Sequence, residues 1–506
     1  MKSIKTLIFV FSVMLLMGVT WYCFPAEGIK LGDHDLRFPS YAESQMGEEK
    51  EVDVDAVLDR VSQSFEMTCS ETMYDSLSFF RDYLKENPNR IYLPEDDYTY
   101  FDTLFNLFEQ ARGEGHTYRI MHYGDSQIEM DRISSVLRQR LQELFGGSGP
   151  NMIPAIQAVP TISVRQRSDN LQRYTLYGDS TTRRAKHNRY GVMSQFCQVT
   201  GEGSISFSQT SHSQAFDNAK SISSVSVLLG HNSKGFKAML RCDGLSLEPK
   251  VLDDNNDVSL ITWDLPVNVR QGVLNFKGNA EIYAVLLDGE PGVAIDNVAL
   301  RGCTGTIFTR INENVMRKSF DLLDTRLIIL QFGGNRMPSI TSSSSISTYL
   351  AALENQIDYV KRVAPKATLL FIGPADMGRS YNGKLGTWKG LPELNDSLRC
   401  MALRNRVAYW DMFNVMGGEG SMVQWVRHKP ALAGPDYIHF TFTGAQAIGT
   451  DLAKSFTTYY DFYKLRQRVP SQEVINFVNR SAEEDVKYTP YWMLMPKYQP
   501  YKNFIE

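Results

Sequence analysis

The most constraining feature of this sequence is a repeated pattern in which a short apolar strand ends in a sharp turn and a helical pattern follows. Tyr118–Tyr123 leads into the tripeptide Gly124–Ser126, and Leu327–Phe332 leads into Gly333–Asn335. After each turn, apolar residues recur at the spacing of one helical face. Strands that alternate with helices are joined by right-handed crossovers and form a parallel sheet covered by helices on both faces. The pattern therefore predicts an α/β fold with a three-layer core.

Three more apolar runs extend the predicted sheet. Val293–Leu300 is interpreted as the second strand in chain order, because it closes with Arg301 and Gly302 and a helical pattern over Ile307–Leu323 follows. The remaining predicted strands are Ala367–Ile372 and Val407–Trp410. In open parallel sheets, ligands bind beyond the carboxyl ends of the strands. The residues that follow each run are therefore the candidates for a functional site.

The helical period disappears between residues 151 and 291. Short β-like runs, at a spacing of about ten residues, are separated there by Gly, Asn, Asp and Ser, which is typical of a β-sandwich. At 506 residues, the chain is also longer than one hydrophobic core usually holds. We therefore predict an all-β insertion within the α/β domain. The predicted division is 1–28, a signal peptide or membrane anchor; 29–112, a stalk and N-terminal helices; 113–150 with 292–458, the α/β domain; 151–291, the inserted β-sandwich; and 459–506, a C-terminal extension.

Residues 1–28 predict export. Lys2 and Lys5 precede an uncharged apolar run over residues 7–24, which is the charge order of an export signal. Aromatic side chains near the end of the run are bulky where a signal peptidase requires small ones, and the run is long enough to span a bilayer. A cleaved signal and an uncleaved membrane anchor both stay open. We expect the protein in the periplasm or cell envelope, at the inner membrane if the segment is retained.

Charge and cysteine usage exclude other classes of partner. Lys and Arg number 53 against 57 Asp and Glu, which gives a net charge of −4. A protein that binds a phosphate backbone needs a basic excess, so no nucleic-acid partner is expected. The six cysteines include no CxxC pair and no cysteine–histidine cluster. The sequence therefore predicts no metal site and no cofactor.

Residues with the chemistry of a serine hydrolase follow the predicted strands. Ser126 stands where the first strand turns into its helix, which exposes its hydroxyl beside the N–H groups of a helix N-terminus. Gly302 and Asn335 each follow a later strand, and Asp436 stands three residues before His439. A serine hydroxyl becomes an effective nucleophile when an imidazole accepts its proton and a carboxylate orients that imidazole. The alternative for Ser126 alone is a helix N-cap.

This set of residues resembles the four sequence blocks of the SGNH, or GDSL, hydrolase superfamily. The resemblance implies a flavodoxin-like three-layer fold. It also implies that Ser126 is the nucleophile, with His439 as its base and Asp436 as the carboxylate partner of that base. The implied oxyanion hole consists of the backbone N–H groups of Ser126 and Gly302 and the side chain of Asn335.

The resemblance covers residues 113–150 and 292–458, and the chain departs from the family pattern at two places. Arg336 occupies the position where the family usually has an aspartate after the block-three asparagine. The predicted insertion separates the first block from the second, which contains Gly302.

The stretch from His122 to Ala155, together with Gly373–Met377, resembles a bacterial envelope branch of the superfamily. Members of that branch act on acetyl groups of polysaccharides and include peptidoglycan O-acetylesterases. Some carry a β-sandwich resembling a carbohydrate-binding module at this position. The resemblance implies an exported serine esterase that acts on an acetylated polysaccharide or peptidoglycan.

Two other functions stay open. One is an O-acetyltransferase that passes the acetyl group to a sugar hydroxyl and works with a membrane acyl-donor protein. The other is a polysaccharide-binding envelope protein with an inactive triad. His122, near the end of the first strand, is a further candidate base. We interpret it as a packed strand histidine, because a carboxylate accompanies His439.

Overall fold

The computed structural model describes residues 9, 11–16, 18–19, 29–31, 34–36, 52–61, 72–179 and 181–495. Most of the predicted export segment therefore lies outside the described residues, and those described between 9 and 19 are helical. Within the described ranges, no helix is both long and apolar enough to cross a membrane. The choice between a cleaved signal and an anchor stays a prediction.

Strands and helices alternate in two separate regions of the chain. The strands are β1 Ile29–Leu31, β2 His34–Leu36, β3 Ile91–Tyr92, β4 Thr117–Gly124, β5 Asn151–Ile153, β6 Val164–Thr175, β7 Gln195–Gln209, β8 Ser224–Cys242, β9 Leu245–Ser246, β10 Lys250–Val251, β11 Asn255–Asp264, β12 Gln271–Asp288, β13 Gly292–Ala299, β14 Thr325–Gln331, β15 Thr368–Ile372, β16 Gly378–Tyr381, β17 Lys384–Thr387 and β18 Ala408–Trp410. The α-helices are α1 Val54–Val61, α2 Met73–Glu86, α3 Asp102–Ala111, α4 Ser134–Phe145, α5 Glu313–Leu323, α6 Ser343–Val363, α7 Leu391–Arg404, α8 Met412–Val415, α9 Ser421–Arg427, α10 Phe442–Arg466, α11 Ser471–Asn479 and α12 Ala482–Tyr488. Short 3₁₀ segments span Pro94–Asp96, Ser126–Asp131, Asn218–Lys220, Phe308–Arg310, Gly334–Ser339 and Tyr491–Leu494.

A six-stranded sheet forms the centre of the α/β part of the molecule. Its strand order is β13-β4-β14-β15-β18-β3. The first five strands are parallel, and β3 adds an antiparallel edge beside β18. The five apolar runs of the sequence correspond to the five parallel strands, so the prediction of an α/β fold with a parallel sheet is confirmed.

Both faces of this sheet are buried. In β14, Leu327 and Ile329 belong to one hydrophobic core, and the alternate residues Ile328 and Leu330 belong to a second. Residues of α2, α3, α4 and α10 complete the first core, whereas α5, α6 and α7 complete the second. This double burial explains why the strands are continuous apolar runs, because a parallel strand has no face turned to water.

The strands β5 to β12 form a separate eight-stranded antiparallel sheet. The long strands β8 and β12 pair along most of their length, with register shifts that mark β-bulges. A third hydrophobic core lies under this sheet and draws its buried members only from the segment between Ile153 and Leu287. The limits of the predicted insertion and its sandwich form stay predictions.

The ends of this antiparallel segment lie beside each other on the α/β part. The Val293 N–H donates to the Gly146 carbonyl at 3.0 Å, and the Gly289 N–H donates to the Ser148 carbonyl at 2.9 Å. A Cβ on Gly292 would lie 2.1 Å from the carbonyl carbon of Gly146, and φ of Gly292 is 149°. A larger residue is therefore excluded where the outgoing and returning chains cross.

The terminal regions share the first core of the α/β part. The ring centroids of Phe105 in α3 and Tyr463 in α10 lie 5.7 Å apart, and those of Phe80 in α2 and Phe462 lie 5.2 Å apart. The helix α10 continues through residue 458, where the sequence predicted a domain boundary. The predicted boundaries at 113 and 458 thus pass through one hydrophobic core.

Asp451 in α10 gives the stability of this core a pH dependence. Its side chain is buried, one carboxylate oxygen has no hydrogen-bond partner among the described residues, and burial raises its pKa to about 7, against a smaller opposing effect of Lys454. Because the folded pKa exceeds the unfolded value, this group favours folding most below about pH 4 and loses that contribution as the pH rises through 7.

We expect the difference in melting temperature between Asp451→Asn and the wild type to change in favour of the variant as the pH rises from 5 to 8. Thermal unfolding at each pH measures this, with the exposed Asp253→Asn as control, and equal pH slopes for wild type and Asp451→Asn would contradict it.

Candidate active site

The turn that carries Ser126 follows β4 directly. Gly124 ends the strand, and a Cβ there would lie 2.9 Å from the side chain of Ile128, so glycine permits the close return of the chain. Asp125 caps the turn by accepting the Gln127 N–H at 2.9 Å. Ser126 is half-buried and begins the 3₁₀ segment Ser126–Asp131.

The expectation that Ser126 stands at the N-terminus of an α-helix is wrong. Glu129 has ψ 153° and Met130 has φ 64°, and neither value is helical. These two residues break the chain direction, so that α4 begins only at Ser134. The hydroxyl of Ser126 is therefore presented by a tight 3₁₀ turn rather than by a helix end.

Ser126, His439 and Asp436 form a continuous hydrogen-bonded row. The Ser126 Oγ lies 2.8 Å from the His439 Nε2, and the His439 Nδ1 lies 2.7 Å from the Asp436 Oδ2. When Nδ1 carries the ring proton, Nε2 is free to accept the serine proton. This geometry allows proton transfer from the hydroxyl to the imidazole, with a carboxylate stabilising the resulting cation.

The loop before α10 holds the carboxylate of this row. The Asp436 Oδ1 accepts the backbone N–H groups of Ile438 at 3.0 Å and His439 at 3.1 Å. Burial raises the pKa of Asp436, but the hydrogen bonds from His439 and from these backbone groups outweigh it and hold the pKa below its usual value. Asp436 is therefore ionised at neutral pH, as a partner of an imidazolium must be.

Asn335 and Gly302 lie on the same cavity as Ser126. The Asn335 Nδ2 donates to the Asp125 Oδ2 at 2.7 Å and makes a longer contact of 3.3 Å with the Cys303 carbonyl. Gly302 follows β13 in a turn with φ 73°, and a Cβ there would meet nothing within 4 Å. Ser126, Gly302 and Asn335, the three residues predicted to form the oxyanion hole, therefore all line one cavity.

Asp125 connects the serine turn to Asn335. Burial raises its pKa to about 6, while the Gln127 N–H, His439 and the Asn335 amide oppose that shift. Above this pH the carboxylate is ionised and can accept the Asn335 amide, which orients the side chain toward the cavity wall. Asp125 therefore acts on Asn335 as a positioning residue.

The cavity around Ser126 has a volume of about 360 Å³. The polar residues of its lining include Ser126, His439 and Asn335. The apolar residues of its lining include Phe332, Pro338, Pro374, Met377, Trp388 and Met412. The sequence interpretation missed Trp388, because it lies between two short strands and an unpredicted helix and stands in no motif.

Two further side chains tie the serine turn to the histidine loop. The Gln127 Nε2 donates to the Ile438 carbonyl at 2.6 Å, and the Arg132 guanidinium donates to the carbonyls of Phe440 at 2.7 Å and Ser126 at 3.2 Å. They bridge segments about 300 residues apart in sequence. The sequence contained no signal for either contact, since a glutamine or an arginine after a turn is common on protein surfaces.

His122 lies beneath the site and is unsuited to be a base. It is fully buried, and burial lowers its pKa to about 4 against a raising hydrogen bond with Gln331. Its Nδ1 contacts the Ser134 Oγ at 2.9 Å, and its Nε2 contacts the Gln331 Oε1 at 3.0 Å. The interpretation of His122 as a packed strand histidine is confirmed.

No protein-family model and no curated protein sequence matches this chain. Among solved structures, the fold is similar to one described as a peptidoglycan O-acetylesterase in action, with a TM-score of 0.56 and 19% sequence identity. The match covers 73% of this chain and 96% of the other. The chain therefore has an SGNH/GDSL esterase-like fold.

Two other solved structures match a smaller part of the chain. A GDSL-like lipase from Parabacteroides merdae has a TM-score of 0.26 and 13% identity, and covers 33% of this chain and 74% of its own. An acetyl xylan esterase has a TM-score of 0.25 and 12% identity, and covers 32% of this chain and 79% of its own.

Proposed function

We propose that this protein is an exported serine esterase that removes O-acetyl groups from a polysaccharide. The observation that carries the proposal is the row of hydrogen bonds from Ser126 through His439 to Asp436, with lengths of 2.8 and 2.7 Å. The similarity in fold to a peptidoglycan O-acetylesterase supports the acetylated substrate. The charge order of residues 1–28 supports export.

In the first half of the proposed reaction, the Ser126 Oγ attacks the ester carbonyl while the His439 Nε2 accepts the hydroxyl proton. The carbonyl π electrons move to oxygen, and the resulting oxyanion is stabilised by the N–H groups of Ser126 and Gly302 and by the Asn335 amide. The tetrahedral intermediate then collapses. The C–O bond to the sugar breaks, and the imidazolium returns its proton to the departing sugar oxygen.

In the second half, a water molecule replaces the sugar. His439 accepts a proton from this water as its oxygen attacks the acetyl carbonyl, and the second tetrahedral intermediate expels the Ser126 Oγ. The imidazolium protonates that oxygen, so that acetate leaves and the free serine is restored. Asp436 stabilises the imidazolium in both halves without accepting its proton.

The size and lining of the cavity support a short acyl group. Its volume of about 360 Å³ lies near the lower end of the range for small-molecule sites. Met377 and Trp388 are among its lining residues and offer apolar surface against which an acetyl methyl group can pack. We therefore favour acetate as the product.

Labelling with a fluorophosphonate, followed by product analysis, tests the proposal. A serine activated by an imidazole is expected to form a covalent adduct, and peptide mapping should place it on Ser126. The labelled protein should then release no acetate from acetylated glycans, whereas the untreated protein releases it. A panel of acetylated xylan, pectin and peptidoglycan measures the acetate.

Each other outcome overturns part of the proposal. A protein that binds these glycans but is not labelled would be an inactive binding protein. Acetyl transfer to an added oligosaccharide that exceeds acetate release would make the protein an O-acetyltransferase. An adduct on another serine would remove Ser126 from the reaction.

A further inference from the structure

A second groove adjoins the catalytic cavity. It has a volume of about 510 Å³ and shares Arg301 and Gly302 with the cavity that contains Ser126. One wall comes from the α/β part, including Glu129 and the end of β13. The other wall comes from the antiparallel sheet and the loop after β5. A substrate larger than one acetylated sugar can therefore extend from the cavity into a space between the two sheets.

Three guanidinium groups line this groove, and two of them are neutralised within the protein. Arg138 and Asp131 are joined by two hydrogen bonds, the shorter at 2.6 Å. Arg301 likewise holds Glu129 through two nitrogens, with Nε to Oε1 at 2.8 Å. Each pair consists of one cation and one carboxylate, so neither pair has a net positive charge that could attract an anionic ligand.

Arg173 is the third guanidinium, and its partners are neutral. Its Nε donates to the Gln195 Oε1 at 2.5 Å, and its Nη2 donates to the Tyr177 hydroxyl at 3.0 Å. Burial raises the pKa of Tyr177, so this hydroxyl stays neutral. Within the described part of the chain, no carboxylate lies within ion-pair distance of Arg173, and its Nη1 has no hydrogen-bond partner. A carboxylate in the groove lining, Asp179, accepts hydrogen bonds from Thr181 in its own turn.

The arrangement fixes the guanidinium before any ligand binds. Two of its three nitrogens are held, which leaves Nη1 as a donor of known position and lowers the entropy lost when an anion binds. A half-buried cation without an anionic partner costs stability, and a bound anion removes that cost. Arg173 is one cation without an ion-pair partner and so matches one singly charged group, whereas the carboxylate of Asp179 in the same lining disfavours a dianion.

We propose that this groove binds the part of the glycan next to the acetylated sugar, and that the Arg173 Nη1 binds a carboxylate carried by that glycan. The inference rests on the proposed esterase function and adds its substrate class, an acidic O-acetylated glycan. The carboxylate belongs either to a uronic acid ring or to an acid substituent on a sugar, as in muramic acid. Arg173 is a specificity residue for this substrate and takes no part in proton transfer.

The experiment uses two pairs of substrates in which only the carboxylate differs. One pair is an O-acetylated oligogalacturonate and the same oligomer with its carboxyl groups amidated. The other is an O-acetylated, peptide-free glycan oligomer that contains muramic acid, and its amidated form. The ratio of kcat/KM for acetate release from the carboxylate and amide forms measures the preference for the charge, independently of enzyme concentration or stability.

We expect the full-length wild-type protein to prefer the carboxylate form of one pair by about tenfold or more, as expected for a hydrogen bond between charged groups. In Arg173→Met the ratio should fall to about one, through a higher KM for the carboxylate form. The matched control is Arg167→Met, on the same strand β6, whose side chain is 79% exposed and lies outside the groove lining. It should keep the wild-type ratio.

The pair that shows the preference identifies the source of the carboxylate. A ratio near one for wild type in both pairs, or an unchanged ratio in Arg173→Met, overturns the inference. Binding of the same oligomers to Ser126→Ala, measured by calorimetry, must show the same preference, and failure to bind either carboxylate form also overturns the inference.

Hydrolysis of p-nitrophenyl acetate by the wild type separates the two proposals. If this ester is not cleaved, the proposed esterase function is wrong. If it is cleaved but the wild type shows no preference for the carboxylate over the amide substrates, only the groove inference is wrong.

Discussion

Ser126→Ala is expected to lower kcat for acetate release by more than about 10⁴-fold. The hydroxyl lies 2.8 Å from the His439 Nε2, so it is the atom that the imidazole can activate. Alanine leaves the turn intact, because the Ser126 backbone N–H and the Asp125 cap do not depend on the side chain. Substrate binding should persist, and KM should change little. Steady-state kinetics on an acetylated glycan and on p-nitrophenyl acetate measure the loss.

Ser126 and His439 should act as one unit. The double variant Ser126→Ala/His439→Ala is therefore expected to be no slower than Ser126→Ala alone, because either change already removes nucleophilic attack. Ser246→Ala, on the exposed strand β9, is the matched control and should keep wild-type kinetics. Full activity in Ser126→Ala, with circular dichroism and melting temperature unchanged, would exclude Ser126 as the nucleophile.

Asn335→Ala is expected to lower kcat by about 10²–10³-fold while KM changes little. Its amide donates to Asp125 at 2.7 Å, whereas the second contact, with the Cys303 carbonyl, is long at 3.3 Å. An oxyanion in the cavity can displace this weaker contact and gain a donor that is already oriented. The effect belongs to the transition state, which is why kcat falls and substrate affinity does not.

The loss of Asn335 also leaves the buried Asp125 without one donor, so the folded state must be measured separately. Asn335→Asp keeps the shape of the side chain but places a second carboxyl beside Asp125, and it should be at least as impaired as Asn335→Ala. Variants that melt earlier but retain kcat at 25 °C would show that Asn335 supports the turn and stabilises no oxyanion.

The parallel strands could be predicted from the sequence because each is buried on both faces. The predicted runs Tyr118–Tyr123 and Leu327–Phe332 correspond to β4 and β14 within two residues at each end. The edge strand β3 was missed, since a two-residue antiparallel strand has no period of its own. The α-helix expected directly after Ser126 was displaced by the kink at Glu129 and Met130, which backbone angles show and residue types do not.

The reactive groups could be proposed because each follows a strand or stands in a short motif. The structure brings Ser126, His439 and Asp436 into hydrogen-bond contact, although the first lies more than 300 residues before the others. The contacts that hold them, from Gln127 and Arg132, depend on which loops meet at the sheet edge. Such pairings are tertiary, so neither local spacing nor residue type predicts them from one sequence.

The crossing of the chain at Gly146 and Gly292 bears on how the antiparallel segment is tolerated within the sheet. Neighbouring strands β4 and β13 are far apart in sequence, but the segment between them leaves and returns at adjacent points. Once folded, it imposes on the host about the same loop-closure entropy as a short connection. At this crossing, a compact domain of another size can therefore replace the antiparallel segment without separating β4 from β13.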